Sequence, residues 1–360
     1  MSLNTIKSTK NNSNKRLVKY GLIAVFLLVM IIGLYNVKWN PYYHKTIEKA
    51  IPKHNIGTSI IVDKAGKAPA FSIEAAKKYF IDYFNAVWKA VVLGLLLGSL
   101  VQVAIPRAWI KRAFGGQGLG STAAAGAAAL PGMMCSCCAA PVAVGLRKRS
   151  ASVNSAVAFF LGNPVLNPAT IIFMGFVLGW NYAIFRVVIG LVMVFGIATF
   201  AGKISENEDV DLDVIPDYED EEDLEVGNIF IRWIKALWQL IIDTIPAYVV
   251  VVTILGAIRV WLFPMAGAAW VNSIIGIIIL AITGTLFVIP TAAEIPLIQT
   301  LLSFGLTSGP AGALLMTLPA VSLPSILIIR RGFSRKVLVS VVAGVAAIGI
   351  ISGILANFIL

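Results

Sequence analysis

Charge is scarce in this chain, histidine is nearly missing and cysteine is confined to one short cluster. Only 13% of the 360 residues are charged and 58% are hydrophobic, whereas a soluble domain carries roughly 25% charged residues. The composition excludes a soluble globular protein and points to an integral membrane protein. The net charge of +11 does not indicate nucleic acid, because Lys and Arg lie at the ends of apolar runs, as topology signals and headgroup contacts. The only histidines, His44 and His54, are remote from the cysteines, so no four-ligand zinc site is expected and no metal or cofactor is assigned. Adjacent Cys137 and Cys138 could bridge only under strain, and Cys135 with Cys137 is little better placed, so the thiols are expected to be reduced.

Acids are as unevenly placed. Twelve of the eighteen lie between Glu206 and Glu225, and only Asp243 and Glu294 fall inside apolar stretches. The division that follows is a basic cytoplasmic tail and uncleaved anchor helix over 1–36, the helix covering 20–35, with the amino terminus held inside by its positive flank. Residues 37–79 read as an external tether and 80–202 as a first transmembrane repeat. Residues 203–227 read as an acidic cytoplasmic linker too charged to pack a core, and 228–360 as a second repeat.

What the chain does have is broken apolar helices. Pro131-Gly132-Met133-Met134-Cys135-Ser136-Cys137-Cys138-Ala139-Ala140-Pro141 holds all the cysteines between two prolines. Prolines interrupt helical hydrogen bonding, and irregular backbone at membrane depth survives only under protein cover or in a wet cavity. The segment 118–146 is therefore expected to be a re-entrant hairpin with the thiols at its tip. Basic residues at both of its ends, with Arg147-Lys148-Arg149 following, favour return to the side of origin. The next span, 151–180, is interrupted by Asn163-Pro164 and Asn167-Pro168. The second half repeats the order: a hairpin over 272–302 with Pro290 to Pro296 at its tip, then a span over 309–329 broken by Pro319 and Pro324. Three full spans per half require the halves to be inverted, so the predicted fold is all-α: an inverted repeat of three spans plus one re-entrant hairpin each, with an extra amino-terminal anchor helix. Gly94 and Gly98 predict close helix packing.

Inverted repeats with broken helices and paired hairpins characterise secondary transporters, whose sites lie where the repeats meet. The expected substrate-binding residues are Cys135, Ser136, Cys137 and Cys138 on one tip, Thr291 on the other, and Asn163, Asn167 and Ser322 at the helix breaks. Thiolates select soft centres such as Cu(I), Zn(II) or trivalent arsenic. Glu294 costs about 2.5–3.5 kcal/mol on insertion scales, so it is expected to face the interior as a coupling residue. Asp243 is the second coupling candidate, with pairing to Arg232 or Lys235 as the alternative. Lys89 and Arg186 are expected to snorkel to headgroups, and Met133 and Met134 to fill a helix–helix gap.

At these residues the chain resembles the ArsP-type predicted permease family. The likeness rests on Cys135-Ser136-Cys137 before Pro141, on Leu146-Arg147-Lys148-Arg149-Ser150-Ala151, and on Ala158-Phe159-Phe160 with Asn163-Pro164 and Asn167-Pro168. In the second half it rests on Glu294-Ile295-Pro296 and the segment from Pro319 to Pro324. Cys138 and the preceding Gly132-Met133-Met134 depart from the family pattern. The resemblance implies efflux of trivalent organoarsenicals, with Cys135 and Cys137 as the arsenic ligands.

The expected function is thus a secondary permease of the inner membrane that exports a soft, thiol-reactive solute, with a trivalent organoarsenical favoured and protons as the coupling ion. Its partners are a small-molecule solute and the lipid bilayer, with no nucleic acid; homo-oligomer formation is left open. A sulfur-containing metabolite or soft metal ion is the alternative cargo. A transmembrane thiol–disulfide electron relay is disfavoured, because the second hairpin lacks cysteine.

Overall fold

The computed structural model describes residues 20–63, 67–206, 226–263 and 269–360. The acidic run assigned to the linker lies largely outside these described residues. Among them there is no strand, and seven helices are long and apolar enough to cross a membrane.

The first helix, α1, covers Tyr20–Lys53. It does not stop near residue 36; the first part of the expected tether, to Lys53, is a continuation of the helix. Two π-helical turns, Tyr35–Trp39 and Thr46–Ala50, make this possible. Each stands just ahead of a proline step, Asn40-Pro41 or Ile51-Pro52. Asn40 N–H donates to the Tyr35 carbonyl and Ile51 N–H to the Thr46 carbonyl, five residues back. The wider turns shift the hydrogen-bond register, so the missing proline donors do not break the rod. The helix ends at His54, whose φ of 45° is left-handed. Beyond it, Ile56, Ile61 and Val62 are buried, and the Ile60 carbonyl accepts from Arg259 Nη1 at 3.0 Å.

The first half then runs through α2 (Ile73–Ala104), a short α3 (Arg107–Phe114), the hairpin arms α4 (Leu119–Ala129) and α5 (Ser136–Lys148), the broken helix α6 (Val153–Val165) and α7 (Pro168–Val177), and α8 (Trp180–Glu206). The second half runs through α9 (Val226–Leu262), the hairpin arms α10 (Ile274–Leu286) and α11 (Glu294–Ser303), the broken helix α12 (Ser308–Ala320) and α13 (Leu323–Ile329), and α14 (Arg335–Ile359). The order is the same in both: long helix, hairpin, broken helix, closing helix. The starts are written in serines. Ser72, Ser152, Ser273 and Ser334 each accept from a backbone N–H three residues on, satisfying a donor that the first turn leaves unpaired. Ser72 thereby starts α2 at Ile73, earlier than the expected boundary at 80.

Corresponding elements pack on one another: α2 along α9, α8 along α14 and α6 against α12. Both hairpins return to where they began. Ser152 N–H donates to the Phe114 carbonyl at 2.8 Å, tying the ends of the first. Asn272 does so for the second, donating to the Gly305 carbonyl and accepting from Thr307 N–H, each at 2.9 Å. The cysteine hairpin is pressed onto α2 by glycine. A Cβ on Gly94 would lie 2.7 Å from the Cys138 carbonyl oxygen, and one on Gly98 would lie 2.8 Å from the Pro141 backbone. The two backbones approach closely because neither position carries a side chain.

Candidate functional site

The tip of the first hairpin is a tight sequence of special conformations. Leu130–Gly132 forms one 3-10 turn, Met133 takes a left-handed φ of 47°, and Cys135 is the N-cap of α5. An N-cap side chain lies over the residue three positions later, here Cys138. The Cys135 and Cys138 sulfurs stand 2.9 Å apart. Cys137, one position earlier in the turn, is directed to another neighbour, with its Sγ 3.1 Å from Ser322 Oγ. Ser136 Oγ shares that neighbour at 3.2 Å. All three cysteines are free and buried. The structure thus groups Cys135 with Cys138, the thiol that departs from the family pattern, and not with Cys137 as the resemblance implies.

The two asparagines serve the backbone. Asn163 Oδ1 accepts from Met134 N–H at 3.4 Å and its Nδ2 donates to the Phe159 carbonyl at 2.9 Å, bracing the cysteine tip. Gly132 leaves the room for it, since a Cβ there would sit 2.5 Å from Asn163 Oδ1. Asn167 caps α7 through Oδ1, accepting from Ala169 and Thr170 N–H, while its buried Nδ2 has no hydrogen-bond partner.

The second tip mirrors this arrangement in outline. Ala292 is left-handed at φ 68°, and α11 opens at Glu294. Glu294 is 1% exposed and bonded through Oε1 to Arg186 Nη1 at 2.8 Å, while its Oε2 is buried without a partner. Arg186 does not snorkel; it is completely buried. The helix break supplies the reason. Pro168 has no N–H to offer the Pro164 carbonyl, and Ala169 N–H is committed to Asn167, so the carbonyls of Pro164 and Val165 need other donors. Arg186 provides them, from Nη2 at 2.7 Å and Nε at 2.9 Å. One guanidinium therefore joins the first broken helix to the second hairpin, a role legible in principle from Asn-Pro steps whose carbonyls lack donors.

A second cation reaches the tips from α1. Lys38 is 4% exposed and donates to Thr291 Oγ1 at 3.3 Å and to the Tyr42 hydroxyl at 3.4 Å. Its neighbour Trp39 donates from Nε1 to the Pro131 carbonyl at 2.9 Å. One turn of α1 thus touches both hairpin tips. Further along, Tyr42 packs edge-on against Phe173, His54 Nδ1 lies 2.7 Å from the Phe176 carbonyl, and Gln299 Nε2 donates to the His54 carbonyl. Sequence reasoning missed this covering because it treated 37–79 as polar tether.

Cys135, Ser136, Thr170, Thr291 and Glu294, with Pro164 and Pro319, border one small cavity of about 10 Å³, room for about one water molecule. The hydroxyls of Tyr83 and Tyr248 are close enough to Cys137 to interact with it electrostatically. Both are buried without hydrogen-bond partners, as is Thr244 Oγ1. Asp243 is outside this assembly. Its partner is Arg331, at 2.5 Å, in place of the expected Arg232 or Lys235. Among the described residues, no group of three or more His, Cys, Asp or Glu is arranged to hold a metal ion.

This is the plan of a multi-pass helical membrane protein whose thiols and buried ion pair meet at interrupted helices. The model of the ArsP-type family, described as predicted permeases, matches residues 123–358. Over 334 residues the chain is 50% identical to the UPF0718 protein YraQ of Escherichia coli K12, covering 92% of this chain and 94% of that one. It is 24% identical over 349 residues to the UPF0718 protein MJ0584 of Methanocaldococcus jannaschii, covering 78% of this chain and 94% of the relative. No solved structure matches. The chain belongs to the ArsP-type predicted permease family and is a permease.

Proposed function

We propose that this permease exports a soft, thiol-reactive solute by alternating access, and that a trivalent organoarsenical is the cargo to test first. The observation that carries the reading is the pair of reduced sulfurs, 2.9 Å apart, at a hairpin tip that faces the second hairpin across one cavity. Soft thiolates bind soft electrophiles, and two sulfurs on one helical turn can bond a single arsenic. With methylarsenite, each As–OH exchanged for As–S releases one water and consumes one thiol proton. Hydrolysis on the far side restores both thiols, without oxidation or reduction. Cys135 and Cys138 are the proposed ligands, with Cys137, Ser136 and Ser322 as the adjoining polar wall. Glu294, with Oε2 unpartnered and Oε1 held by Arg186, is the proposed proton carrier. Asp243, midway along α9 and paired with Arg331 just past α13, has no such opening and is proposed as a clasp between these elements.

The proposed architecture is an inverted repeat. Each hairpin returns to its own side, and each half then contributes three spans, so the second half runs opposite to the first. Contacts between helix ends support it. Arg147 donates to the Gly332 carbonyl, and Trp233 in the early turns of α9 donates to Ser99 in the late turns of α2, gathering the ends expected in the cytoplasm. His54 meets Phe176 and Gln299, and Arg259 meets Ile60, gathering those expected outside. An inner-membrane protein with a cytoplasmic amino terminus follows, and export proceeds by rocking of one repeat against the other.

The test is uptake of methylarsenite into everted vesicles, equivalent to export from cells. Wild-type protein is expected to accumulate it, and Cys135→Ser and Cys138→Ser to lose at least about tenfold, with Cys137→Ser affected less. No accumulation by the wild type sinks the arsenical cargo. Accumulation unchanged by the serine variants removes the thiols from the site.

A further inference from the structure

We infer that the solute this site takes is an anion, a thiol-reactive compound with a carboxylate or oxyanion group beside its soft atom, and that Lys38 recognises its charge. The inference rests on the reading of the thiol pair as the solute site. Charges around the cavity do not balance. Glu294 is matched by Arg186 in a buried ion pair. Lys38 has no such match: its ammonium is buried, and its hydrogen bonds go to the neutral Thr291 and Tyr42 hydroxyls. Thr291 borders the cavity, and Lys38 is close enough to Cys135 and Cys138 to interact with both electrostatically. A buried cation is costly without a counter-charge.

Helix ends leave the cavity with a small positive excess. The amino-terminal ends of α5, α7 and α11 meet here, each equivalent to roughly half a positive charge, against the carboxyl ends of α6 and α12 at Pro164 and Pro319, the first of which Arg186 already serves. Asn167, between the cavity residues Pro164 and Thr170, keeps a buried Nδ2 donor unpartnered. Glu294 Oε2 is an unpartnered acceptor, but its charge is already taken up by Arg186. A thiolate at Cys135 or Cys138 would neutralise Lys38 only until an electrophile bonds to sulfur. With sulfur bonded, the ammonium faces the solute's own substituents. A negative substituent restores the balance where a neutral one does not.

Lys38 lies outside residues 123–358, which match the family model. Charge selection is therefore delivered to the thiol site by α1, from beyond the family-matched core.

The experiment compares two probes that differ by one charge, phenylarsine oxide and its para-carboxylate, titrated into the purified full chain in lipid nanodiscs. The wild type is expected to bind the carboxylate at least about tenfold more tightly. Lys38→Gln is expected to lose most of that preference, mainly by weakened binding of the carboxylate, and Lys38→Arg to keep it. Equal wild-type affinities, or a preference that survives Lys38→Gln, overturn the inference and leave the thiol site standing. Binding of neither probe withdraws both. Should Lys38→Gln bind neither probe, the wild-type preference together with Lys38→Arg decides the matter.

Discussion

Arg186 shows how much one side chain can hold when the backbone around it is incomplete. It neutralises Glu294 and supplies donors to two carbonyls that Pro168 and the cap of α7 leave without partners. Removing one member of a buried ion pair typically costs 3–5 kcal/mol, because the other is left as an uncompensated charge. Arg186→Met is expected to lower the melting temperature of the detergent-purified protein sharply or to prevent its accumulation. Adding Glu294→Gln should recover part of the loss, but not all, since the Pro164 and Val165 carbonyls still lack a donor. A single Arg186→Met variant as stable as wild type would show that the pair contributes nothing to the fold. The cysteines follow a similar local logic. Cys135 meets Cys138 because an N-cap side chain reaches the third residue of its helix, a consequence of spacing alone once the helix start is known.

At the scale of elements, the expected hairpins and breaks correspond to observed ones, and the reason is proline. Pro131 stands at the cysteine tip, whereas Pro141, expected to close it, lies inside α5 without ending the helix; Pro164 with Pro168 and Pro319 with Pro324 mark the interrupted spans. Apolar residues on both sides of each break leave a membrane helix as the sole economical assignment. The boundary expected at residue 36, where the apolar run of α1 ends, was not an end, and Pro41 and Pro52 do not supply one. Two π-helical turns absorb them, and a hydrogen-bond register five residues long leaves no mark in composition. Arg186 was missed because distance from a span end was judged along the sequence, whereas the break in the neighbouring helix decides where a guanidinium is needed. Gly94 and Gly98 were legible as packing sites, and their partner is now named as α5. Gly98→Val places branched carbons where a single Cβ already meets Pro141 at 2.8 Å. Overpacking of this kind costs about 1–3 kcal/mol, so the variant is expected to melt lower and to bind arsenical weakly. Normal melting and binding would mean that α2 and α5 separate without consequence.

For the whole molecule, the decisive question is which helix ends share a side. The proposed inverted repeat places Asn55 and Ser303 outside and Arg112 and Arg335 in the cytoplasm, all four being exposed positions. Single cysteines introduced at each, with the three native thiols changed to serine, are expected to separate cleanly. Asn55→Cys and Ser303→Cys should react with a membrane-impermeant maleimide in intact cells; Arg112→Cys and Arg335→Cys should react only after permeabilisation. Labelling of Arg112→Cys and Arg335→Cys from opposite sides would break the repeat, and a complete reversal would invert the orientation while leaving the repeat intact.

The passage of α1 across both hairpin tips has a consequence for how such permeases diversify. Lys38 and Trp39 reach Thr291 and Pro131 from a segment that precedes the matched region of the family model. On the inferred role of Lys38, one discriminating side chain is thus supplied from outside the matched stretch, while the thiols and Thr291 lie within it. On that reading, exchanging the first helix between relatives is expected to change the preference for cargo charge and leave thiol capture in place, much as a new key blade can be fitted to an old handle.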